Sequence, residues 1–121
     1  MNKLNLTQHP ASFEQKDAGV VDPSPTLKAT IVTLLNFTAL PSPEEIEERA
    51  SKLLDIVRQE GYQAAMIGGA PYLVTEICRQ ARRRGIIALH SFTQRESVEE
   101  VLPDGSTKKV AVFRHVGFVV D

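Results

Sequence analysis

The chain has no tryptophan, a single cysteine (Cys78) and only 6% aromatic residues. One cysteine excludes an internal disulfide and any multi-cysteine metal cluster within one copy, and a reducing cytoplasm is the expected setting. Long apolar runs are also missing, so neither a signal peptide nor a membrane span is expected, and no membrane partner. Charge of one sign does not dominate: 14 basic residues against 15 acidic ones leave a net charge of −1. Nonspecific duplex binding needs a basic surplus, so duplex DNA is not an expected partner. No repeat, Walker loop, full dinucleotide fingerprint or G-x-S-x-G elbow is legible. His9, His90 and His115 are scattered without metal-ligand spacing, and neither metal nor cofactor is expected.

What remains is an ordinary composition, 42% hydrophobic and 24% charged over 121 residues, which predicts one α/β domain. Its most informative stretch runs from Gln63 to Gly85. A short apolar run, Ala64 to Ile67, stops at Gly68-Gly69, and a helix starts at Ala70-Pro71. Strand, glycine turn and helix make half of a βαβ unit, with bare backbone N–H groups at a helix N-terminus where anions bind. Leu4 to Thr7 reads as a first strand. His9 to Pro25 is rich in turn residues. Leu27 to Phe37 mixes helical spacing with β-branched residues and is read as a helix. Ser42-Pro43-Glu44-Glu45 is a helix start, and Gly61 ends that helix. Ile86 to Phe92 reads as a strand. Glu96 to Leu102 and Thr107 to Val120 read as a hairpin around Pro103-Asp104-Gly105. The predicted order is β-α-α-β-α-β-β: a small Rossmann-like sandwich with parallel central strands and a C-terminal antiparallel hairpin.

In open α/β sheets, ligands sit beyond the carboxyl ends of the parallel strands. That rule gathers the candidate residues. Gly68 and Gly69 let backbone approach a phosphate closely. Thr7, Gln8 and His9 follow the first strand. Ser91, Thr93, Gln94 and Arg95 follow the third, and hydroxyl, amide and guanidinium groups suit phosphate recognition. With a two-residue Asp104-Gly105 loop, Arg95 would face Arg114, and an anion between them would relieve the repulsion. A bulge or three-residue loop instead places Gln94 opposite Arg114 and Glu99 opposite Lys109. His115 beside Arg114 is read as a satisfied core histidine or a ligand contact. Arg82-Arg83-Arg84 at a helix end is a solvated cationic turn.

From Ile67-Gly68-Gly69-Ala70-Pro71 to Leu89-His90-Ser91, and in Thr7-Gln8-His9-Pro10-Ala11, the chain resembles the small Rossmann-like, CARF-related proteins associated with CRISPR systems. That resemblance implies antiviral defence and a cyclic oligoadenylate messenger as ligand, bound and in some relatives cleaved. The start Asn5-Leu6-Thr7-Gln8-His9-Pro10 and the end Phe113-Arg114-His115-Val116-Gly117-Phe118 are similar to an uncharacterised bacterial and mobile-element family. Two functions are expected as alternatives. One is a nucleotide-type anion binder with His9 and Arg95 as catalytic groups for metal-independent phosphodiester cleavage. In it, Thr7, Gln8, Gly68, Gly69, Ser91, Thr93, Arg114 and His115 bind a nucleotide-like small molecule across a homodimer. The other is a non-enzymatic dimerisation module built on the hairpin.

Overall fold

Serine–proline pairs start two of the helices. Ser24 and Ser42 each turn a side-chain oxygen back onto the third helical amide, and the proline that follows fills the first turn. In this computed structural model, which describes residues Met1–Asp121, those helices are α2 (Pro25–Leu35) and α3 (Pro43–Gln59). The other elements are β1 (Lys3–Leu6), α1 (Phe13–Asp17), β2 (Val20–Val21), β3 (Ala64–Ile67), α4 (Pro71–Arg84), β4 (Ile87–Val101) and β5 (Thr107–Val120). Leu27 to Leu35 is thus helical despite its β-branched residues, because Ile31 and Leu35 lie on one buried face.

The sheet order is β2-β1-β3-β4-β5, with β1, β2, β3 and β4 parallel and β5 antiparallel to β4. Expected and observed folds agree in class. Two small elements escaped the expectation. α1 and β2 lie in the turn-rich segment, where a Ser12–Gln15 capping box starts a single helical turn.

One face of the sheet carries the main core. Leu4, Leu6, Ala65, Ile67 and Ala88 meet Ile31, Leu53, Leu54, Val57, Leu73 and Ile77 from α2, α3 and α4. The opposite face has a thin cover: Ala11, Val20 and Met66 cluster with Phe118 beside α1. Strands β1 and β3 are therefore buried on both faces, which is why β3 reads as an unbroken apolar run.

β4 and β5 do not stop at the sheet. Strand β4 continues from the predicted Ile86-to-Phe92 run through to Val101. Beyond Phe92 the pair leaves the sheet as a two-stranded ribbon about 30 Å long at ~3.4 Å per residue, touching α1 at its base through Arg114 and Glu14. A bulge between Phe92 and Thr93 shifts the register, and Val116 is the extra residue. The tip is a three-residue turn with Gly105 at φ +86, closed by the Leu102 amide on the Ser106 carbonyl at 2.8 Å. This overturns the two-residue register. Arg95 pairs with Phe113 rather than Arg114, Gln94 faces Arg114, and Glu99 and Glu100 face Lys109 and Lys108. The arginine confrontation, and the anion inferred from it, disappear.

Candidate functional site: a crevice at the β1/β3 switch point

From β1 the chain passes through α1 to β2 on one side. It then returns through α2 and α3 to β3 on the other. The connections diverge beyond the carboxyl ends of β1 and β3, and a crevice opens there. Its volume is about 720 Å³, within the ordinary range for small-molecule sites. Thr7, Gln8, His9 and Pro10 line it from β1, Gly68 and Gly69 from β3, Ser91 from β4, Asn36 and Phe37 from the end of α2, and Tyr72 from α4.

Asn5 builds one wall. It is the one fully buried polar side chain of the core. Its Nδ2 donates to the His9 carbonyl at 2.8 Å and to Asp22 Oδ1 at 2.9 Å. Its Oδ1 accepts from the Thr7 amide at 2.9 Å and the Thr7 hydroxyl at 2.7 Å. Asp22 Oδ1 also accepts the Ala11 amide at 3.0 Å. Burial opposes ionisation of Asp22, but the Asn5 and Ala11 hydrogen bonds and the Lys16 and Lys28 charges outweigh it and hold the carboxyl below its usual range. The Thr7-to-Ala11 loop is thereby tied to Asn5 of β1 and to Asp22 just past β2.

The opposite wall is backbone. Gly69 has φ +129, a region closed to most side chains, and a Cβ on Gly68 would lie 3.2 Å from Thr7 Cγ2. The amides of Gly68, Gly69 and Ala70 donate to no protein acceptor. Unlike α2 and α3, helix α4 has no capping side chain: Ala70 occupies the N-cap. In the first turn of α4, Pro71 has no N–H and the Leu73 amide donates to the Ala70 carbonyl at 3.0 Å, so the free donors beside the crevice are those of the Gly68-to-Ala70 turn leading into the helix.

A third wall is aromatic. The Phe37 and Tyr72 rings lie 5.6 Å apart, tilted by 59°. Arg49 sits 4.1 Å from the Phe37 ring centroid and donates to the Asn36 carbonyl at 2.6 Å. It thus caps the C-terminal end of α2 and holds the ring in place. Asn36 reaches Gln8 across the mouth at 3.2 Å.

A scan of family models matches residues 1–119 to the uncharacterized protein MJ1673 family. The chain belongs to that family. No curated protein and no solved structure matches it. An uncharacterised family was expected, and the match shows that much but neither a bacterial and mobile-element character nor any CARF or CRISPR kinship.

The predicted site residues of this MJ1673-family chain divide into two groups. Thr7, Gln8, His9, Gly68, Gly69 and Ser91 share the crevice. Thr93, Arg95, Arg114 and His115 lie on β4 and β5 outside it. Arg95 is exposed on the ribbon. Arg114 is engaged by Glu96 at 2.8 Å and by Glu14 at 3.7 Å. The His115 ring packs against Phe118 with centroids 4.5 Å apart and a tilt of 55°, and its Nδ1 meets the Ser91 hydroxyl at 2.6 Å. It acts on the crevice only through Ser91, which Gln15 also holds at 3.1 Å. No lysine or arginine lines the crevice. Lys28 lies just behind, donating to the Thr7 carbonyl at 3.2 Å.

Asn5, Gln15, Asn36, Phe37 and Tyr72 were missed from sequence. Asn5 carried one legible signal: a polar residue between Leu4 and Leu6 in a strand whose neighbours bury both faces needs an internal partner. The aromatic pair carried none, since Phe37 and Tyr72 are brought together only because α2 and α4 both pack on α3.

Proposed function

We propose that the protein binds a nucleotide-type anion in the β1/β3 crevice. One juxtaposition carries the reading: free amides at the uncapped start of α4 stand beside the Phe37/Tyr72 wall. Amides suit a phosphate and the rings suit a base. Thr7, Gln8, Asn36 and Ser91 supply the few polar groups that orient such a ligand. We confine the proposal to binding. His9 and Tyr72 are the titratable side chains lining the crevice, and Arg95, the expected charge stabiliser, stands on the ribbon outside it. A cyclic oligonucleotide exceeds one crevice of this size and would need the crevices of two copies.

Thermal shift against mononucleotides, cyclic di- and oligonucleotides and inorganic phosphate tests this. A nucleotide at roughly a hundredfold excess over Kd should raise the melting midpoint by about 10 °C. Phe37→Ala should remove the preference for nucleotide over inorganic phosphate. No shift with any nucleotide at millimolar concentration overturns the proposal.

The exposed ribbon favours the second reading, a dimerisation module. Phe92, Val101, Phe113 and Val116 are exposed, and a lone two-stranded ribbon is marginal in water. Phe118 packs on Met66 within its own copy, so it does not probe this reading. Phe113→Ser does: light scattering should show a dimer lost in the variant, and a monomeric wild type refutes it.

A further inference from the structure

Cys78 projects from α4 toward β4, where His90 lies beside it, and Asp121 follows the last residue of β5. The Asp121 amide donates to the Ala88 carbonyl at 3.0 Å, extending the β5–β4 ladder by one step. Three donor atoms of different kinds converge here from a helix and two neighbouring strands. His90 Nε2 is 3.8 Å from Cys78 Sγ and 3.8 Å from Asp121 Oδ1. All three donors lie within 4.8 Å of one another. A tetrahedral zinc site, with Zn–S of about 2.3 Å and Zn–N or Zn–O near 2.1 Å, separates sulfur from nitrogen by about 3.6 Å and nitrogen from oxygen by about 3.4 Å. The two His90 distances exceed these values by a few tenths of an ångström, within the reach of a side-chain torsion.

We propose that Cys78, His90 and Asp121 form a binding site for a divalent cation of the zinc class. Thiolate, imidazole and carboxylate together select zinc over magnesium or calcium, which take oxygen donors. Cys78 is buried, while the His90 and Asp121 side chains are 36% and 18% exposed, so a cation can reach the site from the His90 side. Arg82 now holds Asp121 at 2.8 Å through its other oxygen, Oδ2, which leaves Oδ1 directed at His90. Binding releases the thiol proton to solvent and forms one metal–sulfur bond. The cation then joins α4, β4 and the end of β5, and anchors the ribbon-bearing strand to the body. The site lies on the helix-covered face of the sheet. The neighbouring residue, Ser91, lines the crevice from the opposite face, so the cation site is independent of the proposed ligand crevice.

Cobalt and zinc titrations of chelator-stripped full-length protein test the site. One equivalent of Co²⁺ should produce a sulfur-to-cobalt charge-transfer band in the near ultraviolet, and Zn²⁺ should displace it. Zn²⁺ at roughly a hundredfold excess over Kd should raise the melting midpoint by about 10 °C. Cys78→Ser should abolish the band. His90→Gln and Asp121→Asn alter partly exposed residues, and each should weaken binding tenfold or more. Should Cys78→Ser fail to fold by circular dichroism, those two variants carry the test. Absence of the band at millimolar Co²⁺, or unchanged affinity in His90→Gln and Asp121→Asn, overturns the proposal.

Discussion

Asn5 offers the sharpest test of how the crevice is built. Its side chain makes four hydrogen bonds, all between 2.7 and 2.9 Å, to Thr7, His9 and Asp22. Asn5→Ala removes all four. At about 1 kcal/mol each, the gross loss is ~4 kcal/mol. Thr7 and His9 stand at the crevice mouth and regain some hydration, so the net cost is about 3 kcal/mol. For a chain of this size the melting midpoint should fall by ~12 °C. Urea titration should give the same loss with an unchanged m-value, because the hydrophobic core does not change. Amide exchange should also rise in the Thr7-to-Ala11 loop before it rises in β3. Asn5→Asp is the informative companion. It keeps an acceptor for Thr7 but loses both donors and sets a carboxylate against Asp22. Its deficit should exceed that of alanine at neutral pH and shrink on acidification. A loss under 1 kcal/mol for Asn5→Ala would show that the loop is held by something other than this network.

Asp22, held below the usual carboxylate range, stabilises the fold above its unfolded pKa of about 3.9, and that contribution is lost as pH falls through the lower folded value. Asp22→Asn should flatten the acid limb of a melting-midpoint-versus-pH curve, and an unaltered limb would disprove the assignment. Gly69→Ala forces a side chain to φ +129 and should cost about 1–3 kcal/mol in urea titrations, together with the nucleotide-induced thermal shift. Ribbon amides beyond Phe92 should exchange far faster than those of β3 in dilute protein. Protection that rises with protein concentration would identify a second copy as the partner.

The fold was legible wherever one local rule acted alone. Ser42-Pro43 and the Gly85 stop bounded their helices within a residue, because capping chemistry is local. Ala64 to Ile67 was readable because a strand buried on both faces needs no alternation. α1 and β2 were not readable: five and two residues are too short to establish a period. The hairpin was legible as a hairpin, but its register was not. One added turn residue, with a bulge at Phe92/Thr93, decides which side chains face each other. That single step moved Arg95 from an imagined anion clamp to a pairing with Phe113. The crevice was half legible for the same reason. Strand ends and glycine turns are written locally, whereas Asn5 with Asp22, Phe37 with Tyr72, and Cys78 with His90 and Asp121 meet only after packing.

The absence of Arg95 and Arg114 from the crevice changes the kind of anion site that is proposed. No fixed cation lines it, so attraction must come from the Gly68-to-Ala70 amides and the positive end of α4. Dipolar donors act within the first helical turn, at distances shorter than the Debye length of ~10 Å at 0.1 M salt. Bulk ions screen such contacts little, whereas an arginine-steered site loses affinity steeply with salt. Nucleotide affinity, measured by calorimetry, should therefore change by less than about threefold between roughly 50 and 500 mM salt. A drop of tenfold or more would mean that a guanidinium does reach the ligand. Two guanidiniums are candidates, Arg49 on the Phe37 wall and Arg95 from a second copy, and loss of the salt dependence in Arg95→Gln, without altered monomer stability, would assign the contact to Arg95.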